Sequence, residues 1–181
     1  MPNDPLRSYK TFYPKLTETT YVDPSAVVIG DVTLAEDVSI WPLVVIRGDV
    51  NSIDIGQRTN IQDGSVLHVT HRSLDAPEGN PLIIKDNVTI GHKVILHGCT
   101  IESHVLIGMG TIILDGAVIE SEVIVGAGSL VTSNKRLESG FLYMGQPVKK
   151  IRPLTQDEIK HLSYSADNYV KWKNDYLISK K

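Results

Sequence analysis

The chain has a single cysteine, Cys99, among its 181 residues, so no disulfide can close within it. That argues against a disulfide-stapled secreted domain and makes a cytoplasmic home the expectation. Long apolar runs are absent too. Nothing approaches the roughly 20 residues of a membrane-spanning helix, and no membrane partner is expected. The opening Met1-Pro2-Asn3-Asp4-Pro5-Leu6-Arg7 lacks the charged-then-apolar layout of a secretory signal. There is no basic excess: the formal net charge is -3, which leaves no electrostatic footprint for nucleic acid. Aromatic residues make up only 6% of the chain, while Val, Ile and Gly are abundant, a balance that leans towards β structure. The length suits one domain with room for an appendage.

What the chain does have is a period of six. Aliphatic residues recur at Val22, Val28, Leu34, Ile40 and Ile46, then at Ile55, Ile61 and Leu67. They return at Ile84, Ile90 and Leu96, and again at Ile101, Ile107, Ile113, Ile119, Val125 and Val131. Four residues after each start sits a small or β-branched residue, such as Ala26, Val38, Val50, Ser65, Thr100 or Ser129; His71 alone breaks the series. A buried helix would show a period of 3.6, so that alternative fails. Repeats this short suit a parallel β-helix in which each hexad is a short strand plus a corner and three hexads close one coil. Coils stack about 4.8 Å apart. The expected layout is an N-terminal extended segment over 1–20, a hexapeptide-repeat β-helix over 21–152 and a C-terminal helical segment over 153–181.

The register slips in three places: three extra residues at Asn51-Ser52-Ile53, a loop from His71 to Pro81, and a spacing of five between Leu96 and Ile101. Loops inserted into a solenoid often carry its function, and the histidines gather around these slips. Grouping hexads by three starts the coils at 22, 40, 61 and 90. His68 and His97 then follow the second hexad start of adjacent coils and share one column, with Arg47 one coil earlier. Two imidazoles at the inter-strand spacing suit a shared metal ion. His92 falls in the first hexad of its coil, stacked over Asp63, and leaves the prism from another face. If His92 is a ligand, it comes from a neighbouring subunit, as a threefold ring of prisms would supply. His71 is the runner-up ligand, and His104 and His161 read as surface residues.

After Pro153, Thr155 with Glu158 forms a capping box and Leu154 with Ile159 a hydrophobic staple. Apolar residues at Leu162, Ala166, Tyr169, Val170, Tyr176 and Leu177 carry helical spacing, which predicts one amphipathic helix over roughly 155–178 that packs along the prism and caps its last open coil. Lys173 reads as a surface position. Gly108-Met109-Gly110 and Gly126-Ala127-Gly128 lack the third glycine and strand-to-helix setting of a nucleotide-binding loop, so they read as corner glycines. Cys99 reads as an inert corner thiol.

The segments Arg47-Gly48-Asp49, Asn60-Ile61-Gln62-Asp63-Gly64, Leu67-His68-Val69-Thr70-His71, Gly91-His92, Leu96-His97-Gly98-Cys99 and Tyr164-Ser165-Ala166-Asp167-Asn168-Tyr169 together resemble the gamma-class carbonic anhydrase family, and within it a bacterial YrdA-like branch. The likeness covers nearly the whole chain. It implies an all-β, left-handed parallel β-helix with a C-terminal α-helix, assembled as a homotrimer with a metal at each interface. It implies that His68 and His97 of one subunit hold zinc with His92 of the next. It also implies that Arg47 and Asp49 form an intersubunit ion pair, and that Gln62 orients the metal-bound water with Asn60 and Asp63 in support. The activity implied is hydration of a small-molecule substrate, carbon dioxide, by a metal-bound hydroxide. Iron(II) or cobalt would also suit three histidines with an open position.

Two positions depart from the family pattern. Val50 and His71 stand where family members carry glutamates that serve the active site and proton transfer; His71, Asp75 and Glu78 are the candidates to replace them. A thioesterase on the same site, a metal-binding protein without catalysis, and an acyltransferase of the wider repeat superfamily are the competing readings, which fold alone does not separate.

Overall fold

Side chains alternate across a strand, so in a pair such as Leu106-Ile107 one residue faces out and the next faces in. The computed structural model describes residues 4–74 and 76–179; Asp75 and the outer ends of the two expected terminal segments lie outside them. Within it the inward residues stack in three parallel columns. Val22, Ile40, Ile61, Ile90, Ile107 and Val125 pair in succession on the first face. Val28, Ile46, Leu67, Leu96, Ile113 and Val131 do so on the second, and Leu34, Ile55, Ile84, Ile101 and Ile119 on the third. The result is a parallel β-solenoid of about eight turns, mostly sheet, with one C-terminal helix. Apart from the partly buried Val22, every aliphatic residue of the sixfold period is at most 2% exposed. The coil grouping read from the sequence is the observed one.

Corners impose their own geometry. Asp37, Arg58, Asn87, His104 and Glu122 occupy equivalent corners with φ between 56° and 59°, the left-handed region. Each costs a non-glycine residue roughly 1–2 kcal/mol, offset by the stacking that the turn permits. Gly110 and Gly128 take the same conformation at the next corner. A methyl group at Gly108 would stand 2.5 Å from the Ala127 nitrogen of the coil above. Both glycine pairs are therefore corner elements.

The slips are absorbed at corners, and the details differ from the sequence reading. Val27–Leu34 and Val45–Ile55 run as continuous strands through their corner instead of breaking into short ones. Val50 is not a core residue: it is 42% exposed. The three-residue insertion hands its place to Ile53, which pairs with Val32 below and Leu82 above. The shortened spacing near 97 likewise turns Cys99 inward and Thr100 outward, because Thr100 rather than Cys99 pairs with Ile83. Burial, reinforced by the Asp115 charge, pushes the Cys99 thiol well up, which keeps it inert.

The helix spans Gln156–Ser179. Its capping box forms as expected, with Thr155 N donating to Glu158 Oε2 at 2.8 Å and Glu158 N to Thr155 Oγ1 at 3.2 Å. It lies along the first face and runs back from the fourth coil to the first. Ser163 meets His104, Ser165 meets Thr89, Asp167 pairs with Arg58, and Tyr176 meets Tyr21. Trp41 receives Tyr169 and Tyr176 edge-on, with centroids at 5.7 and 5.2 Å. Lys173 is not a surface residue: it is 1% exposed and its Nζ donates to Asp37 Oδ1 at 2.7 Å. Nor does the helix cap the last coil. Lys149–Pro153 returns antiparallel along Phe141–Met144 and covers that edge.

Glu158 gives a pH test of the cap. Arg152 and the Thr155 N–H hold its carboxyl down at about 2. A depressed carboxylate contributes fully above its unfolded value near 4.5; the contribution fades as pH falls from there and is gone below about 2. The melting temperature of Glu158→Gln should therefore lie below that of the parent at pH 7, and the two should converge as pH is lowered through that window.

Candidate metal centre

The columns decide which side chains meet. Because Leu96 pairs with Leu67, His97 stands directly above His68. The rings lie 5.1 Å apart between centroids, and His68 Nδ1 faces His97 Nε2 at 3.1 Å. Each ring is held from its far side. His68 Nε2 lies 3.1 Å from Asp49 Oδ1, and His97 Nδ1 lies 3.0 Å from both oxygens of Asp115. An ionised carboxylate only accepts, so each imidazole donates outward and keeps its lone pair on the facing nitrogen. Two lone pairs 3.1 Å apart repel unless a proton or a metal ion lies between them. Two ligands of a tetrahedral zinc ion, with Zn–N of about 2.0–2.1 Å, would sit about 3.3–3.4 Å apart. The spacing of this pair fits two of the ligands of such an ion.

Arg47 lies one coil below in the same column, as the Ile46–Leu67 pairing requires. Its guanidinium, however, donates to Asp49 of its own chain at 2.5 Å. Burial alone would raise the Asp49 carboxyl; Arg47 and the His68 N–H outweigh it and hold Asp49 below the usual carboxylate range. Val50 joins Asp49 in lining a cavity of about 340 Å³ on this side, with Lys10, Phe12 and Arg72 at its other walls.

A second cluster forms on the first face, under the helix. The Ile61–Ile90 pairing sets Asp63 beneath His92, and His92 Nδ1 lies 3.0 Å from Asp63 Oδ2. Gln62 is buried, and its Nε2 donates to Asn60 Oδ1 at 3.0 Å. Asn60 Nδ2 in turn donates to Thr89 Oγ1 at 3.0 Å, and Thr89 meets Ser165 of the helix at 2.9 Å. Gln62, His92, Met109 and Tyr169 line a cavity of about 330 Å³. Burial, with the Asp63 charge, raises the Tyr169 hydroxyl.

The structure therefore divides the expected site residues into two groups: Arg47, Asp49, His68 and His97 on one side, and Asn60, Gln62, Asp63 and His92 on the other. No group of three or more His, Cys, Asp or Glu side chains among the described residues is arranged to hold a metal ion. His71 is exposed and does not join the pair, Glu78 lies opposite Arg72 at 4.0 Å, and Asp75 lies outside the described residues. Asp115 was not foreseen. The signal was present, since it stands two after the hexad start Ile113, one coil above His97.

The hexapeptide model described as bacterial transferase hexapeptide (six repeats) matches residues 98–133. Protein YrdA of Escherichia coli K12 is 64% identical over 175 residues, covering 97% of this chain and 95% of that one. A carbonic anhydrase of Geobacillus kaustophilus is 42% identical over 162 residues, covering 90% and 85%. The crystal structure of a hexapeptide transferase family protein from Anaplasma phagocytophilum has a TM-score of 0.88 at 39% identity, covering 94% of this chain and 97% of that one. With its sixfold columns, its paired imidazoles and these relatives, the chain belongs to the gamma-class carbonic anhydrase-like family of hexapeptide-repeat proteins.

Proposed function

We propose that the chain is a zinc-dependent hydratase of the carbonic anhydrase type whose metal is shared between neighbouring subunits of a homotrimer. The observation that carries this reading is the His68–His97 pair, whose facing nitrogens are both left as acceptors by Asp49 and Asp115. His92 of a neighbouring chain would complete the ligand set. When bound, the zinc supplies an open coordination position and the Lewis acidity that activates water near neutral pH.

The remaining residues have jobs that follow from their contacts. With its Nε2 committed to Asn60, Gln62 offers its carbonyl oxygen at the cavity as an acceptor that fixes the orientation of a water. Asn60 and Thr89 brace that amide, and Ser165 ties the brace to the helix. Asp63 holds the His92 ring through Nδ1. Arg47 balances the Asp49 charge, so the carboxylate stays ionised against His68.

An outward apolar column supports the trimer. Val45, Val66, Ile95, Ile112 and Leu130 pair in succession on the outside of the second face. Val66 and Ile95 are 40% and 42% exposed in the single chain. A solvent-facing column is normally polar; an apolar one running beside two imidazoles suits burial against a second copy. A cytoplasmic home belongs to the same reading, supported by the free thiol of Cys99. No helix among the described residues is long and apolar enough to cross a membrane.

Anaerobically purified protein should carry close to one metal per chain, and the zinc, iron(II) and cobalt forms should hydrate carbon dioxide in a stopped-flow assay. Metal-loaded protein with no hydration in any form would leave the binding site standing and overturn the activity. His97→Ala should lose the metal, whereas Gln62→Ala should keep it and lose rate.

Sharing is tested by mixing. His92→Ala chains retain the His68–His97 column, and His97→Ala chains retain His92. Reassembled mixed trimers should recover metal binding and activity that neither parent has. Mixed trimers that stay metal-free would show that the two groups do not meet across a subunit boundary.

A further inference from the structure

We propose that Asp115 is the positioning residue for His97: it fixes which ring nitrogen is left for the metal and, through Thr70, ties that ring to the base of the 71–81 loop. The inference rests on the metal reading above. Both carboxylate oxygens of Asp115 lie 3.0 Å from His97 Nδ1. That bond keeps the proton on Nδ1 and the lone pair on Nε2, the nitrogen that faces His68 at 3.1 Å. Without it, the two tautomers of the ring would compete, and the one protonated on Nε2 cannot bind a metal through that atom.

Three features show that the contact is built into the fold. The Leu96–Ile113 pairing places the corner after Ile113 directly above the corner after Leu96, so a carboxylate at 115 reaches back one coil to the ring at 97. Gly98 makes room for it. A methyl group there would collide with Asp115 Oδ1 and stand 2.9 Å from the Asn80 carbonyl oxygen, and its φ of +50° already favours glycine. Thr70 supplies the other bond, its Oγ1 donating to Asp115 Oδ1 at 2.5 Å.

Thr70 is where the inserted loop begins. It exchanges backbone bonds with Asn80 at 3.0 and 3.2 Å. Asn51 clamps the same base, its Nδ2 donating to the carbonyls of Thr70 and Glu78 at 3.1 and 2.8 Å. Asp115 therefore holds both a candidate ligand and the root of the loop. Its role differs from that of Asp49. Asp49 divides its charge between His68 and the Arg47 guanidinium. Among the described residues Asp115 forms no ion pair other than that with His97, and its second partner is a hydroxyl instead of a cation. Its carboxylate is thus directed at the ring without a competing cation.

The test uses the full chain, with zinc affinity measured by chelator competition and the His97 ring nitrogens of the metal-free protein read by ¹⁵N NMR. Loss of an outer carboxylate typically costs about 10–100-fold in metal affinity, so Asp115→Ala should bind zinc that much more weakly and lose the Nδ1–H tautomer. Gly98→Ala should move both readings in the same direction. Asp115→Asn keeps an oxygen acceptor but no charge; it should hold the tautomer and recover part of the affinity. A folded Asp115→Ala protein with parental affinity and an unchanged tautomer would overturn the assignment. If that variant does not fold, Asp115→Asn decides. Reduced affinity with the tautomer kept supports the role, and parental affinity overturns it. A parent protein that binds no zinc, yet whose His97 tautomer depends on Asp115, would defeat the metal reading and leave the positioning role in place.

Discussion

One-for-one stacking of coils is the constraint on which everything else in this molecule depends. Within the repeat each strand pairs in parallel with the neighbouring coils, so every aliphatic residue of the period must lie over its predecessor. A slip of one residue would turn the inward side chains outward. Extra or missing residues are therefore tolerated only at corners, and there the core simply changes occupant. Ile53 fills the position that Val50 would have taken, and Cys99 the one that Thr100 would have taken. The polar corner residues that remain buried are tied to the coil above, as Thr59 is to the Lys85 carbonyl and Ser65 to that of Gly91.

That same constraint makes the candidate site. Residues 29 apart in sequence, His68 and His97, are brought ring to ring because their coils are adjacent. Asp49 lies on the strand one coil below and Asp115 follows the strand one coil above, so each supplies a carboxylate to the outer side of a ring. The four residues form a vertical stack with acceptors turned inward and charge turned outward. A rigid solenoid suits this purpose, since none of the four needs a flexible loop to hold it. The one long loop is rooted in the same stack through Thr70.

The helix serves the other half. It lies along the face that carries Asn60, Gln62 and His92, and its Ser165 reaches Thr89, on which Asn60 depends. Lys173 anchors its far end by burying an ammonium against Asp37. Docking of the helix and orientation of the Gln62 amide are thus parts of one hydrogen-bonded chain. The two clusters sit on different faces of the prism, which is the geometric basis for reading the centre as shared between copies.

The amino-acid order alone determined the columns, because a period of six leaves no choice about which aliphatic residues face inward. From those columns followed the meeting of His68 with His97, the separation of His92, and its position over Asp63. The capping box was equally legible, since Thr155 and Glu158 are near neighbours whose contact needs no tertiary information. Only the tertiary structure decided what happens at corners. The period does not say which residue turns inward when one is inserted or lost, so the exposure of Val50 and the burial of Cys99 were settled by packing against the next coil. Asp115 and Lys173 were decided the same way. Their roles depend on where a carboxylate or an ammonium at the end of its side chain comes to rest against another coil, or against a helix that lies more than a hundred residues further along the chain from its docking face, and spacing along the chain carries no record of that direction.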